Sequence, residues 1–279
     1  MLLFILTLLL PGVAGQGTAQ SPAAAVSAPT PLTIGQTFTI RSKALGETRR
    51  INVYMPPGYE DGPKAPVPVL YMPDGGIAED FLHVAGLIQV SVGNATMRPF
   101  LLVGIENTER RRDMTGPTDD PEDRKIAPRV GGSAAFRAFI KTELMPAIKA
   151  RYRTTSETAI VGESLAGLFV METFFLDPDL FDTYMAFDPS LFWNHEALVR
   201  DAAGRLRTFG GKQKRLYFAS SDYPGLYEPT ARLAAILEKA APPGLTWHYQ
   251  PMPAEQHSTI YHPAALAAFR ALFKPAPAR

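Results

Sequence analysis

The chain is predicted to fold as one α/β domain with a mostly parallel central sheet, helices on both faces and an antiparallel hairpin at the N-terminal end. Three observations predict it. Short apolar, β-prone runs alternate with helix-period segments from residue 67 to the C-terminus, the pattern of strand–helix–strand crossovers. Two earlier runs alternate apolar with polar residues about a glycine, as half-buried hairpin strands do. One strand-to-helix junction carries a serine among small residues, Gly162-Glu163-Ser164-Leu165-Ala166-Gly167. With 279 residues, 46% hydrophobic and 20% charged, the chain can bury a core of one-domain size.

Residues 2–10 form an apolar run followed by Pro11-Gly12 and the small-residue pattern Val13-Ala14-Gly15. This reads as a signal peptide over 1–15, too short to span a bilayer, although no Lys or Arg precedes Arg41. The expected location is therefore periplasmic or secreted, with no membrane insertion of the mature chain. Residues 16–36, rich in Ala, Ser, Pro, Thr and Gly without periodicity, read as a flexible leader, and 37–279 as the domain. A net charge of +1 gives no field for nucleic acid, which is not expected as a partner. The absence of cysteine excludes disulfides, a lipoprotein anchor, thiol catalysis and thiolate metal sites. Oligomeric state is not legible.

The hairpin is expected over Thr37-Phe38-Thr39-Ile40-Arg41 and Arg50-Ile51-Asn52-Val53-Tyr54-Met55, with Gly46 near its turn. Val67-Pro68-Val69-Leu70-Tyr71-Met72 is continuously apolar and belongs in the sheet centre. It ends in Pro73-Asp74-Gly75-Gly76, a turn whose amides can approach a ligand. A helix over 79–90 and a buried strand over 100–105 follow. Residues 107–132 hold no clear element and read as a solvated mixed-charge surface. Phe136, Phe139, Ile140, Leu144 and Ile148 give a helix over 133–151 its core stripe. Strands are expected at 157–161, 181–187, 216–219 and 245–249, and helices after Ser164, from Glu228-Pro229 and over 263–273. Residues 194–214 have room for one helix and a turn, so no lid domain is expected and the site should be open.

A serine at the turn between strand 157–161 and the apolar helix after it has the placement of a nucleophile elbow, where the hydroxyl stands above the sheet edge. The alternative is a helix N-cap, a role serine also favours. Ala166 occupies the position of the second glycine in Gly-x-Ser-x-Gly. A serine nucleophile needs a base and an acid that fixes the base's tautomer. His257 lies after the last strand, where the base belongs. His83, His195, His248 and His262 suit surface or capping positions. For the acid, Asp222 and Glu228 are level on spacing. Leu165 and either Gly75 or Gly76 are the candidate oxyanion donors. No metal motif is present, and no cofactor is expected.

Val69-Leu70-Tyr71-Met72-Pro73-Asp74-Gly75-Gly76, Val103-Gly104-Ile105-Glu106-Asn107 with Arg112-Asp113-Met114-Thr115, the Ser164 elbow, Asp188-Pro189-Ser190-Leu191-Phe192-Trp193 and Glu255-Gln256-His257 together resemble the α/β-hydrolase-fold esterases of the enterobactin, salmochelin and S-formylglutathione type. The resemblance implies a serine ester hydrolase with Ser164 as nucleophile and His257 as base, acting on a small-molecule ester such as a siderophore lactone. It favours Glu228 as the acid, through Glu228-Pro229 before a helix, and Trp193 as a pocket wall, with core packing the alternative. The family usually has glycine at position 166 and often histidine at 163. Related chemistries of the fold are carbohydrate or feruloyl ester hydrolysis and acyl transfer, and outside catalysis an inactive binding protein.

Overall fold

The computed structural model describes residues 27–60, 65–209 and 213–275. The signal peptide expected at 1–15 and residues 16–26 of the expected leader lie outside the described residues. Contacts divide the chain into Met1–Thr33 and Ile34–Arg279, and the sheet and its helices all belong to the second unit.

Eight strands form one sheet in the order β1-β2-β4-β3-β5-β6-β7-β8. The hairpin β1 (Gln36–Arg41) and β2 (Thr48–Tyr54) is antiparallel, and β2 also pairs antiparallel with β4 (Leu101–Ile105). Every other pairing is parallel: β4 with β3 (Val67–Met72), β3 with β5 (Thr154–Glu163), then β6 (Thr183–Phe187), β7 (Lys214–Ser220) and β8 (Leu245–Pro251). The sheet is thus the mostly parallel α/β-hydrolase arrangement expected, with the antiparallel pair at one end. The continuously apolar strands are the central ones, because only a strand covered on both faces can keep every side chain from water. All five residues of β4 and of β6 are buried.

Helices cover both faces. On one side Phe81 and Ile88 of α1 (Phe81–Gly93) pack with Ala264 and Phe269 of α9 (Tyr261–Leu272). On the other lie Phe136 and Phe139 of α4 (Ser133–Phe139), Phe169 and Phe174 of α6 (Ser164–Leu176), Val199 of α7 (Trp193–Arg207) and Leu233 of α8 (Tyr227–Ala240). The helix expected over 133–151 is interrupted: a π-turn at Ile140–Leu144 separates α4 from α5 (Met145–Arg151). Pro146 supplies the reason, since proline donates no amide hydrogen and its ring crowds the carbonyl four residues back.

Residues 107–132 depart from the sequence reading. They contain two short helices, α2 (Arg110–Met114) and α3 (Pro121–Lys125), each too short to leave a periodic signature. Their charges turn inward. Asp113 is fully buried and pairs with Arg49 of β2, itself fully buried. Arg49 also meets the Glu47 carboxylate at 2.9 Å and the Glu106 carbonyl at 3.1 Å. The Arg112 hydrogen bond to Glu47 holds that carboxyl down at about 2. This network clamps the loop against the sheet. Removing one member of a buried pair strands its partner's charge, so Asp113→Ala is expected to lower stability by ~3–5 kcal/mol in urea unfolding. A loss below ~1 kcal/mol would show that the pair does not carry the clamp.

Candidate active site

β5, β6, β7 and β8 run parallel, so their C-terminal ends share one edge of the sheet, and the site is assembled there. The β5–α6 junction is tight. A side chain at Gly162 would come within 2.7–2.8 Å of Ala166, so glycine is required where strand and helix start cross. Ala166 itself sits inside the helix, buried, where the missing second glycine costs nothing in backbone freedom. Ser164 takes φ 60°, the left-handed region, at a cost of about 1–3 kcal/mol. Its carbonyl accepts the Ser190 amide at 3.1 Å, which holds the strained turn against the segment after β6.

His257 comes from the loop after β8. Its Nε2 lies 3.2 Å from Ser164 Oγ and its Nδ1 3.1 Å from Asp188 Oδ2. Asp188 is fully buried, directly after β6, and also left-handed at φ 40°. Its other bonds come from Ser221, directly after β7: the amide to Oδ1 and the hydroxyl to Oδ2, both 2.6 Å. A carboxylate accepting from three donors is paired as buried charge requires. The Asp188 hydrogen bond, ahead of the opposing effect of burial, raises the His257 pKa above the usual imidazole value, with the Glu163 and Asp188 charges adding to it.

The structure brings Ser164 and His257 together as expected, and it places Asp188 at the imidazole rather than Glu228 or Asp222. Glu228 is exposed at the start of α8, where it accepts the Gly225 amide at 2.9 Å from the turn before the helix. Asp222, the alternative, is exposed in the loop after β7. Asp188 fills the position both were weighed for. The signal is an acid immediately after the mostly apolar, β-prone run Thr183–Phe187, which pairs directly with the elbow strand.

Two further residues differ from expectation. The Gly75 amide is committed to the Ile105 carbonyl at 2.9 Å, inside the packing of the Asp-Gly-Gly turn on β4, and so cannot turn to a ligand. The Gly76 amide is bonded to a side chain instead, Glu79 Oε2 at 2.6 Å. Leu165 lies in the first turn of α6, where amide hydrogens have no intrahelical acceptor. Trp193 is core, the alternative reading: it is 4% exposed and its indole donates to the Gly116 carbonyl at 2.9 Å. The exposed aromatics at this end are Tyr223, whose ring centroid lies 5.6 Å from that of His257, with Phe192 and Tyr227.

Two further carboxyls bear on this centre, Glu163 directly and Asp74 through Arg110. Asp74 holds Arg110 of α2 in a two-pronged pair, at 2.7 and 2.9 Å, and also accepts the Asn107 side-chain amide at 2.5 Å. Glu163, beside the serine, brings Oε1 to 3.1 Å from His257 Nδ1, but only Asp188 meets that nitrogen with hydrogen-bond geometry. Burial pushes the Glu163 carboxyl up to about 8, against the lowering pull of His257 and Arg110.

The chain is 30% identical over 174 residues to the ferri-bacillibactin esterase BesA of Bacillus subtilis, covering 55% of this chain and 58% of that protein. It is 30% identical over 199 residues to the siderophore triacetylfusarinine C esterase of Aspergillus fumigatus, covering 64% of each. The matches thus span about three fifths of these curated relatives' lengths. Among solved structures, the IroE-like serine hydrolase from Shewanella oneidensis superposes with a TM-score of 0.79 at 30% identity, over 86% of this chain and 80% of that one. The family model described as "Putative esterase" matches residues 42–232, more than half of the sequence and inclusive of both the elbow and Asp188. The chain belongs to that esterase family.

Proposed function

We propose that the chain is a serine hydrolase of carboxylic esters working through an acyl-enzyme on Ser164. One observation carries the reading: a serine on a strained elbow, an imidazole and a buried carboxylate lie in hydrogen-bonded sequence across three strand ends. Ser164 Oγ attacks the ester carbonyl carbon as His257 Nε2 takes the hydroxyl proton. Asp188 fixes the tautomer through Nδ1–H and stabilises the imidazolium that forms. The Leu165 amide, at the positive end of α6, donates to the developing oxyanion. Gly76 rather than Gly75 is the second donor we assign, because Glu79 is a side chain that can swing away whereas the Ile105 carbonyl is fixed in the sheet. His257 then returns its proton to the leaving alcohol. A water, deprotonated by the same imidazole, releases the acid.

Siderophore esters, the substrates named for the relatives, are the class we extend to this chain. The lack of a lid-sized insertion between α7 and β7 and the exposed rings of Tyr223, Phe192 and Tyr227 support a bulky, partly aromatic ester such as a siderophore lactone. The apolar run at residues 2–10 supports action outside the cytoplasm. No helix among the described residues is long and apolar enough to cross a membrane.

Ser164→Ala and His257→Ala are each expected to cut hydrolysis of a p-nitrophenyl acyl ester by on the order of 10⁴-fold or more. Retention of near-parental rate by either folded variant would refute the mechanism. Asp188→Asn should cost up to ~10⁴-fold in kcat, whereas Glu228→Gln should stay within about twofold of the parent. The reverse order would restore Glu228 as the acid. Because His257 acts as a base only when neutral and its pKa is raised, kcat/KM should fall with acid through a limb centred above the usual ~6.5. In a panel of trilactone siderophore, acetylated sugar, feruloyl and short acyl esters, the siderophore should give the highest kcat/KM. A sugar or feruloyl ester in first place would overturn the substrate class while leaving the mechanism intact.

A further inference from the structure

Within the proposed esterase mechanism, on which this inference rests, the His257 Nδ1 proton faces two carboxyl groups. Asp188 Oδ2 and Glu163 Oε1 are each 3.1 Å from that nitrogen, one from the end of β6 and one from the end of β5. Asp188 takes the hydrogen bond. Glu163 Oε1 is buried without a hydrogen-bond partner, aimed at the imidazole. Only one acceptor can hold a single Nδ1–H, so the second carboxyl is not needed to fix the tautomer. Its effect on the imidazole is electrostatic.

We infer that Glu163 is a positioning residue whose ionisation is coupled to that of His257, so that the two side chains share one titrating proton and Glu163 sets the pH range over which the base works. The groups facing Glu163 make the coupling specific. Arg110, anchored by Asp74, favours the carboxylate, as does protonated His257. Burial, Asp188 and Asp80 favour the neutral acid. Tyr261 of α9 lies close enough to feel the Glu163 charge and is itself kept neutral by burial. Beside a neutral His257, burial and the Asp188 and Asp80 charges favour the protonated form of Glu163. Once His257 carries the proton, the adjacent Glu163 carboxylate is favoured.

Interacting groups of this kind release protons in two steps that belong to the pair. With one proton on the pair, part of the population is neutral imidazole beside a protonated Glu163, competent as a base, and part is imidazolium beside a carboxylate, which is not. Full competence needs the second proton to leave. The parent should therefore approach its alkaline plateau in two steps, and removing the Glu163 charge should leave one.

The test is kcat/KM for a p-nitrophenyl acyl ester from pH 5 to pH 10. The parent is expected to show an upper step toward pH 8, the range to which burial raises the Glu163 carboxyl, as the pair loses its second proton, raising the rate about two- to tenfold. Glu163→Gln, nearly isosteric, should show a single step at lower pH. A proton NMR titration of the His257 Nδ1–H resonance in the parent provides the same reading without any variant: the resonance should shift in two steps. Superimposable single-step profiles for parent and Glu163→Gln, or a one-step resonance titration in the parent, would overturn the coupling. Neither result would touch the esterase reading, which stands or falls with Ser164→Ala and His257→Ala. If the parent hydrolyses no ester, the NMR titration still decides the coupling.

Discussion

The hydrogen bond from His257 Nδ1 to Asp188 is the constraint on which the rest of the site depends. An imidazole can be a base at Nε2 only when its proton sits on Nδ1, and Asp188 decides that by offering an anionic acceptor in a buried place. For that to happen three strands must end on one edge in register. The parallel pairing of β5, β6, β7 and β8 achieves it, since all four finish on the same side. The Ser221 bonds to both Asp188 oxygens then fix the carboxylate from β7. The charge is bound from several sides before the imidazole arrives.

Strain and packing meet at the same place. Ser164 and Asp188 both take left-handed backbone, the first lifting the hydroxyl from the strand end, the second turning the carboxylate back toward it. Each conformation is held by a bond from a neighbouring segment, Ser190 to the Ser164 carbonyl and the Asp188 amide to Ala219. The loop over 107–132 completes the surroundings. Its Asp113 pairs with Arg49 of β2 and fixes α2, α2 carries Arg110, and Arg110 grips Asp74 in the turn that leads to Gly76. A buried charge near β2 is thus tied, step by step, to the electrostatics around the imidazole.

Much of this was legible in the sequence, for physical reasons. Unbroken apolar runs such as Leu101 to Ile105 marked the central strands, and the small residues at 162, 166 and 167 marked the elbow. His257 was legible from chain order. The carboxylate that meets the imidazole was not, because spacing treats every strand end as equivalent, whereas the nearest carboxylate is fixed by which strand lies beside β5. Glu228-Pro229 mimicked the expected motif while serving as a helix start. The Gly75 amide failed for a similar reason: a glycine announces that a backbone can come close, not what it comes close to, and here that is Ile105. The inward-facing charges of 107–132 were unreadable because composition does not reveal partners far back along the chain in β2.

The central claim is that one hydroxyl, at Ser164, is made nucleophilic by this arrangement. Incubating the folded protein with a fluorophosphonate and mapping the adduct by peptide mass spectrometry tests it most directly. A single adduct on Ser164 that is lost when His257 is replaced by alanine is the predicted result; no adduct, or an adduct on another residue, would contradict the account.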